Sequence, residues 1–141
     1  MSDSETIIRR LYSVAEGATL DMETFVSSFS SDGYMIDIPA ELTLRGKDIG
    51  AYLTGLTAAF PDIHRELFSM HVAGKVVVVE LAIRGTHTGG LGLPSGTIAP
   101  TGRTIDVPCC DVFHVEDGKI TSFHCYNSAS IMQKQLGIVG S

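Results

Sequence analysis

Residues 104–126 read TIDVPCCDVFHVEDGKITSFHCY, and this stretch decides the fold class. Thr104 to Val115 and Ile120 to Tyr126 are rich in Val, Ile, Thr, Phe and Tyr, whose branched or aromatic side chains suit a pleated surface. Glu116-Asp117-Gly118-Lys119 joins them, and Asp-Gly tolerates the positive φ of a tight hairpin. Working outward, Val76 to Thr88 is another long β-branched run. Before it Glu66, Phe68, Met70 and Val72 alternate with Arg65, Leu67, Ser69 and His71 up to a turn at Ala73-Gly74-Lys75. Upstream of Pro61 the period becomes helical. Ile49, Tyr52, Leu53, Leu56 and Phe60 form one stripe, which Pro61 ends because it cannot continue the hydrogen-bond ladder. Tyr34 to Ile38 reads as a short strand before Pro39. Met22, Phe25, Val26 and Phe29 predict a helix that begins after Asp21 and ends by Gly33. Ile7, Ile8, Leu11, Val14 and Ala15 predict another, opened by a Ser2–Glu5 capping box and stopped at Gly17. A short helix is expected over Ile131 to Leu136.

Helices first and a meander of long strands last imply an α+β domain, with the helices on one face of a curved antiparallel sheet. The chain's 141 residues suit one such domain over 1–141 and can bury roughly 68% of the unfolded surface without a disulfide or metal. Residues 89–102 hold five of the 15 glycines, with Pro94 and Pro100, and read as a mobile loop able to act as a lid. Ten Lys and Arg against 16 Asp and Glu give a formal net charge of −6, which repels phosphate backbones and argues against a nucleic-acid partner. Cys109, Cys110 and Cys125 are odd in number, and two are adjacent, which points to a reducing compartment. The N-terminal residues lack the pattern of a signal peptide, and the longest apolar run, Val76 to Val79, cannot span a bilayer. A cytoplasmic protein without a membrane partner is expected.

Five segments carry a family resemblance. They are Arg45-Gly46-Lys47-Asp48-Ile49 leading into a helix that ends Phe60-Pro61-Asp62, then Gly85-Thr86-His87-Thr88-Gly89, Pro100-Thr101-Gly102-Arg103, Asp117-Gly118-Lys119-Ile120, and Gln135-Leu136-Gly137. In order and spacing this series resembles the SnoaL-like polyketide cyclases, of the nuclear transport factor 2-like superfamily that also holds ketosteroid isomerase and limonene epoxide hydrolase. The resemblance implies an α+β barrel in which a cone-forming antiparallel or mixed sheet wraps three N-terminal helices around a deep pocket. It also implies a dimer or tetramer, no cofactor, and a small apolar or polycyclic substrate. The implied reaction is aldol ring closure by acid/base catalysis, which requires a base, a donor for the developing oxyanion and a dry cavity.

Counted back from Gln135-Leu136-Gly137, the position of the cyclases' acid/base aspartate falls on Ser128, a poor base without an activating partner. The family histidine one strand earlier corresponds to His114. Strand alternation places His124, Tyr126 and Ser128 on one face and Cys110, Val112 and His114 on one face of the neighbouring strand. If both faces line the pocket, His114 and His124 can replace the missing carboxylate, because imidazole titrates near neutral pH. Asp37, near the place of the ketosteroid isomerase base, either enters the pocket as a third catalytic candidate or faces outward or caps the Pro39 turn. Tyr126, Ser128, His64 and Phe60 are the expected substrate contacts, with His64 alternatively a core or rim residue. His87 is placed to fasten the loop. No metal site is expected, since the five histidines form no i, i+3 or i, i+4 pair and Cys109-Cys110 lacks zinc-ligand spacing. The expected function is acid/base catalysis in secondary metabolism on a polyketide-like or polycyclic ketone or ester. A hydroxylase component, an isomerase and a non-catalytic binding domain remain open alternatives.

Overall fold

The computed structural model describes residues 3–93 and 96–138. The Ser2 half of the expected capping box, together with Pro94 and Ser95, lies outside them. The elements are α1 (Asp3–Ser13), α2 (Met22–Ser27), β1 (Phe29–Asp37), β2 (Leu42–Arg45), α3 (Lys47–Ala59), β3 (His64–Ala73), β4 (Val76–Thr86), β5 (Leu91–Leu93), β6 (Gly96–Ile98), β7 (Thr104–Glu116), β8 (Lys119–Asn127) and α4 (Ala129–Leu136). The class is the expected α+β. Six strands form one curved mixed sheet in the order β2-β1-β8-β7-β4-β3, with β1 and β8 parallel and the other pairs antiparallel. The sheet stays open, its edges being β2 and β3.

Ile8, Leu11 and Tyr12 form the buried stripe of α1, facing the inner side of the sheet. Along β7 burial alternates, so that Ile105, Val107, Cys109, Asp111, Phe113 and Val115 point inward. Tyr12 meets Phe113 edge-on, with centroids 5.9 Å apart. Each large apolar side chain hidden here stabilises the fold by about 1.5–3 kcal/mol. The β7–β8 turn has positive φ at Asp117 (51°) and Gly118 (77°), as the Asp-Gly pair predicts.

Three expectations need correction. The apolar stripe from Met22 to Phe29 is helical only to Ser27. Phe29 instead opens β1, pairing with Ile120 of β8 and burying its ring in the sheet. The strand expected to start at Tyr34 therefore runs from Phe29 through Gly33, and Leu42–Arg45 adds an unforeseen partner strand. Residues 89–102 are not without regular structure: β5 and β6 pair as a small hairpin. The hairpin is docked on the end of α3, where Thr88 N–H and Gly89 N–H both donate to the Ala59 carbonyl at 3.2 and 3.1 Å. His87 ties its other end. Its backbone bonds reciprocally with Arg103 and Gly102, both at 2.8 Å, and its Nδ1 accepts from Thr101 N–H at 3.1 Å. Of the five glycines, Gly89 and Gly90 serve close packing, whereas Gly96 and Gly102 supply positive φ with open space around them. Among the described residues no helix is long and apolar enough to cross a membrane.

Candidate functional site

Between the helices and the concave side of the sheet lies a cavity of about 860 Å³. Leu11, Met35, Leu53, Ile83, Leu91 and Phe123 supply much of its apolar wall. The polar groups on that wall fall into two clusters.

The first centres on Asp37, the last residue of β1. Its Oδ2 accepts from the Tyr52 hydroxyl of α3 at 2.7 Å, and its Oδ1 accepts from Asn127 Nδ2, at the end of β8, at 3.0 Å. Parallel pairing of β1 with β8 brings Asp37 level with Cys125 and so beside Asn127. Burial, and then the charge on Asp37, push the Tyr52 phenol well above its ordinary value. Tyr52 therefore stays protonated and remains a donor across the neutral range.

The second cluster is buried deeper. Tyr12 donates to Asp111 Oδ2 at 2.6 Å, Cys109 Sγ donates to Asp111 Oδ1 at 3.3 Å, and the Cys109 and Cys125 sulfurs are 3.8 Å apart. Burial raises the Asp111 carboxyl, opposed in part by hydrogen bonds from Tyr12, Cys109 and Cys125 and by the charge of Arg65. Burial and the Asp111 charge push the Tyr12 phenol far upward. The Cys109 thiol is raised by its contact with Cys125, by burial and by Asp111. One ligand atom each from Cys109, Asp111 and Cys125 fall within 4.8 Å of one another. Far apart along the chain, Cys125 is brought to Cys109 and Asp111 by the pairing of β7 with β8.

Of the residues proposed from sequence, Asp37 is on the cavity wall. His114, His124 and Tyr126 do share one face, because Val112 pairs with His124 and Cys110 with Tyr126, but it is the outer face of the sheet. His114 is exposed, with Nδ1 3.1 Å from Ser122 Oγ. His124 Nε2 is 3.4 Å from the Tyr34 hydroxyl, and Tyr126 is 46% exposed. Ser128 lies past the end of β8 at the N-cap of α4. None of the four lines the cavity. The expectation that these faces turn inward is corrected for a simple reason. The opposite strand phase carries Ile105, Val107, Phe113 and Phe123, and burying them outweighs turning imidazoles inward.

His64, expected as a substrate contact, does not reach the cavity: it is exposed at the start of β3, with Nδ1 2.7 Å from Glu16 Oε1, in a shallow cleft apart from the cavity. Phe60 is fully buried and stacks on His87 at 5.3 Å, off the cavity wall. Tyr12, Tyr52, Asp111, Cys125 and Asn127 were not singled out as cavity groups. Their signal was phase, since Asp111 shares its side of β7 with Val107 and Phe113.

A SnoaL-like domain model matches residues 8–123. No curated protein sequence matches the chain significantly. The fold is similar to that of a candidate SnoaL-like polyketide cyclase from Jannaschia sp. CCS1, with TM-score 0.82 and 17% identity over 99% of this chain and 94% of that one. A hypothetical protein of ketosteroid isomerase-like fold from Catenulispora acidiphila DSM 44928, in complex with trimethylamine, has TM-score 0.77 and 21% identity over 94% and 92%. AclR, a candidate hydroxylase from Streptomyces galilaeus, has TM-score 0.80 and 18% identity over 100% and 89%. At these identities the likeness is one of fold.

Proposed function

Because the chain belongs to the SnoaL-like domain family, we propose that it is an enzyme acting by acid/base catalysis on a polyketide-like or polycyclic ketone or ester held in its cavity. The observation that carries this reading is Asp37, a carboxylate on a mainly apolar wall, fixed by the Tyr52 hydroxyl and the Asn127 amide. Asp37 takes the proton from a carbon next to a substrate carbonyl and returns it later in the reaction. Tyr52 and Asn127 are positioning residues that aim the carboxylate and hold its charge. The apolar wall excludes water and binds the body of the substrate. His114, His124, Tyr126 and Ser128 have no contact with the reacting atoms in this scheme.

The test measures deuterium uptake at the carbon between the carbonyls of an aromatic β-keto ester in heavy water. Asp37→Asn should slow the enzyme-dependent exchange by about 10²–10⁴-fold, while the probe still binds. Unchanged exchange in that variant would remove Asp37 from the mechanism. Tight binding with no exchange by the wild-type protein would favour a binding domain. The fold likeness to AclR favours hydroxylation as a second reading, and product mass decides it by an added oxygen.

Two further expectations belong to the same proposal. The outer face carries Val78, Val112 and His124 in one row and the exposed Tyr126 ring, which supports self-association there; sedimentation of the wild type against Val112→Glu tests it. The odd number of cysteines, with Cys109 and Cys110 adjacent, supports a reducing, cytoplasmic setting.

A further inference from the structure

The acid/base scheme leaves the second polar cluster unused, although a buried carboxyl and two buried thiols are costly to maintain in an apolar wall. We propose that Cys109, Asp111 and Cys125 form a three-ligand site for a thiophilic divalent cation, zinc foremost, whose fourth coordination position opens into the cavity.

The geometry is that of a tetrahedral site. With Zn–S of about 2.3 Å and Zn–O of about 2.0 Å, tetrahedral angles place two sulfurs about 3.8 Å apart and sulfur and oxygen about 3.5 Å apart. The Cys109 and Cys125 sulfurs are 3.8 Å apart, and Cys109 Sγ is 3.3 Å from Asp111 Oδ1. All three ligand atoms lie within 4.8 Å of one another, so small side-chain rotations suffice to close on one ion. Cys109 and Asp111 are next-but-one neighbours on β7 and point the same way, while Cys125 is directly opposite Asp111 on β8. The sheet itself thus holds the donors in place.

The surroundings complete the site. Tyr12 donates to Asp111 Oδ2 at 2.6 Å, leaving Oδ1 to the ion, which is the outer partner that ligating carboxylates usually have. Two thiolates, a carboxylate and a divalent ion carry one net negative charge, and the cationic Arg65 on the cavity wall offsets it. Asp111 and Cys125 both line the cavity, so the remaining position faces the space that a ligand oxygen would enter. Three protein ligands and one open position are the pattern of a reactive rather than a purely structural zinc site. On binding, the two thiol protons, and the carboxyl proton when present, leave to solvent.

The test titrates the reduced, chelator-treated full chain with cobalt(II), then with zinc(II). The expected result is one equivalent of cobalt bound with a near-ultraviolet thiolate charge-transfer band and the intense visible bands of four-coordination, all removed when zinc displaces it. Cys125→Ser should lose at least half of the charge-transfer intensity while keeping its far-ultraviolet dichroism. Tyr12→Phe should keep the bands but weaken affinity about 10- to 100-fold. Asp37→Asn should bind metal like the wild type, so failure here leaves the exchange test for Asp37 untouched. The proposal falls if the folded wild type shows no thiolate band at saturating cobalt. It falls equally if Cys125→Ser binds cobalt with undiminished affinity and spectrum, which would place the ion elsewhere, as on His64 and Glu16.

Discussion

Replacing Gly89 by alanine should undock the β5–β6 hairpin that closes one side of the cavity. A Cβ at Gly89 would sit 1.9 Å from the Ala58 carbonyl oxygen and 2.9 Å from its carbon. Normal packing requires carbon and oxygen to be roughly 1.5 Å farther apart than that. A retreat of this size breaks the Thr88 and Gly89 hydrogen bonds to Ala59, now 3.2 and 3.1 Å, at about 1 kcal/mol each. It also uncovers part of Leu91, 5% exposed, whose full burial contributes about 1.5–3 kcal/mol. The sum is about 3 kcal/mol, or a fall in Tm of about 10 °C for a domain of this size. Gly92, on the same hairpin, is the control: a Cβ there meets nothing within 4 Å, so Gly92→Ala should stay within about 0.5 kcal/mol of wild type. Neither glycine has a positive φ, so the contrast isolates steric fit from backbone preference. Differential scanning calorimetry of both variants, with fluorescence of an apolar dye reporting the opened cavity, measures it. Equal Tm values for the two would refute the close-packing argument.

Tyr52→Phe removes the 2.7 Å bond to Asp37 and leaves the Asn127 contact, so exchange of the β-keto ester should slow about tenfold with little change in probe affinity. Tyr12→Phe takes the donor from buried Asp111 and should cost about 1–3 kcal/mol, measured by urea unfolding of the metal-free protein. His114→Ala combined with His124→Ala should leave exchange unchanged, since both rings lie on the outer face; a large loss would restore them to the mechanism. Asp62 accepts from Thr86 N–H at 2.7 Å and from its hydroxyl at 2.8 Å, and these bonds lower its carboxyl below the ordinary value. Its contribution to stability is therefore present above the unfolded-state pKa of about 3.9 and disappears as pH falls through the lower folded value. Asp62→Asn should flatten that part of the acid limb, and an unaltered acid limb in the variant would contradict this.

The long strands were legible because their signals are local. The alternation in β7 and the Asp-Gly turn state both the strand and its reversal within 23 residues. Phe29 was misread because its i+7 spacing from Met22 satisfies a helical stripe, and only pairing with Ile120 across the sheet shows that the ring is buried from a strand. Thr43, paired with Ile36, lies in a four-residue edge strand too short to display a period. The hairpin at 91–98 was hidden for a related reason: what orders Gly89 is the Ala58–Ala59 backbone, thirty residues away in sequence.

The inward face of β7 and β8 was misplaced by one residue of phase, and a one-residue shift exchanges the faces of a strand. His114, His124 and Tyr126 attract attention because their side chains do chemistry, yet the apolar residues decide which face turns inward. Along β7 the inward set contains one carboxylate, Asp111, between Cys109 and Phe113. An ionisable group in the apolar phase of a strand must find partners or lose stability, and Asp111 finds Tyr12 from α1 and the two thiols. Asp37 follows the same logic at the end of β1, where Tyr52 and Asn127 meet its carboxylate. The informative residue in such a strand is therefore the polar one that keeps step with the valines. Read by that rule, residues 104–126 point to Asp111 and its two cysteines before any histidine.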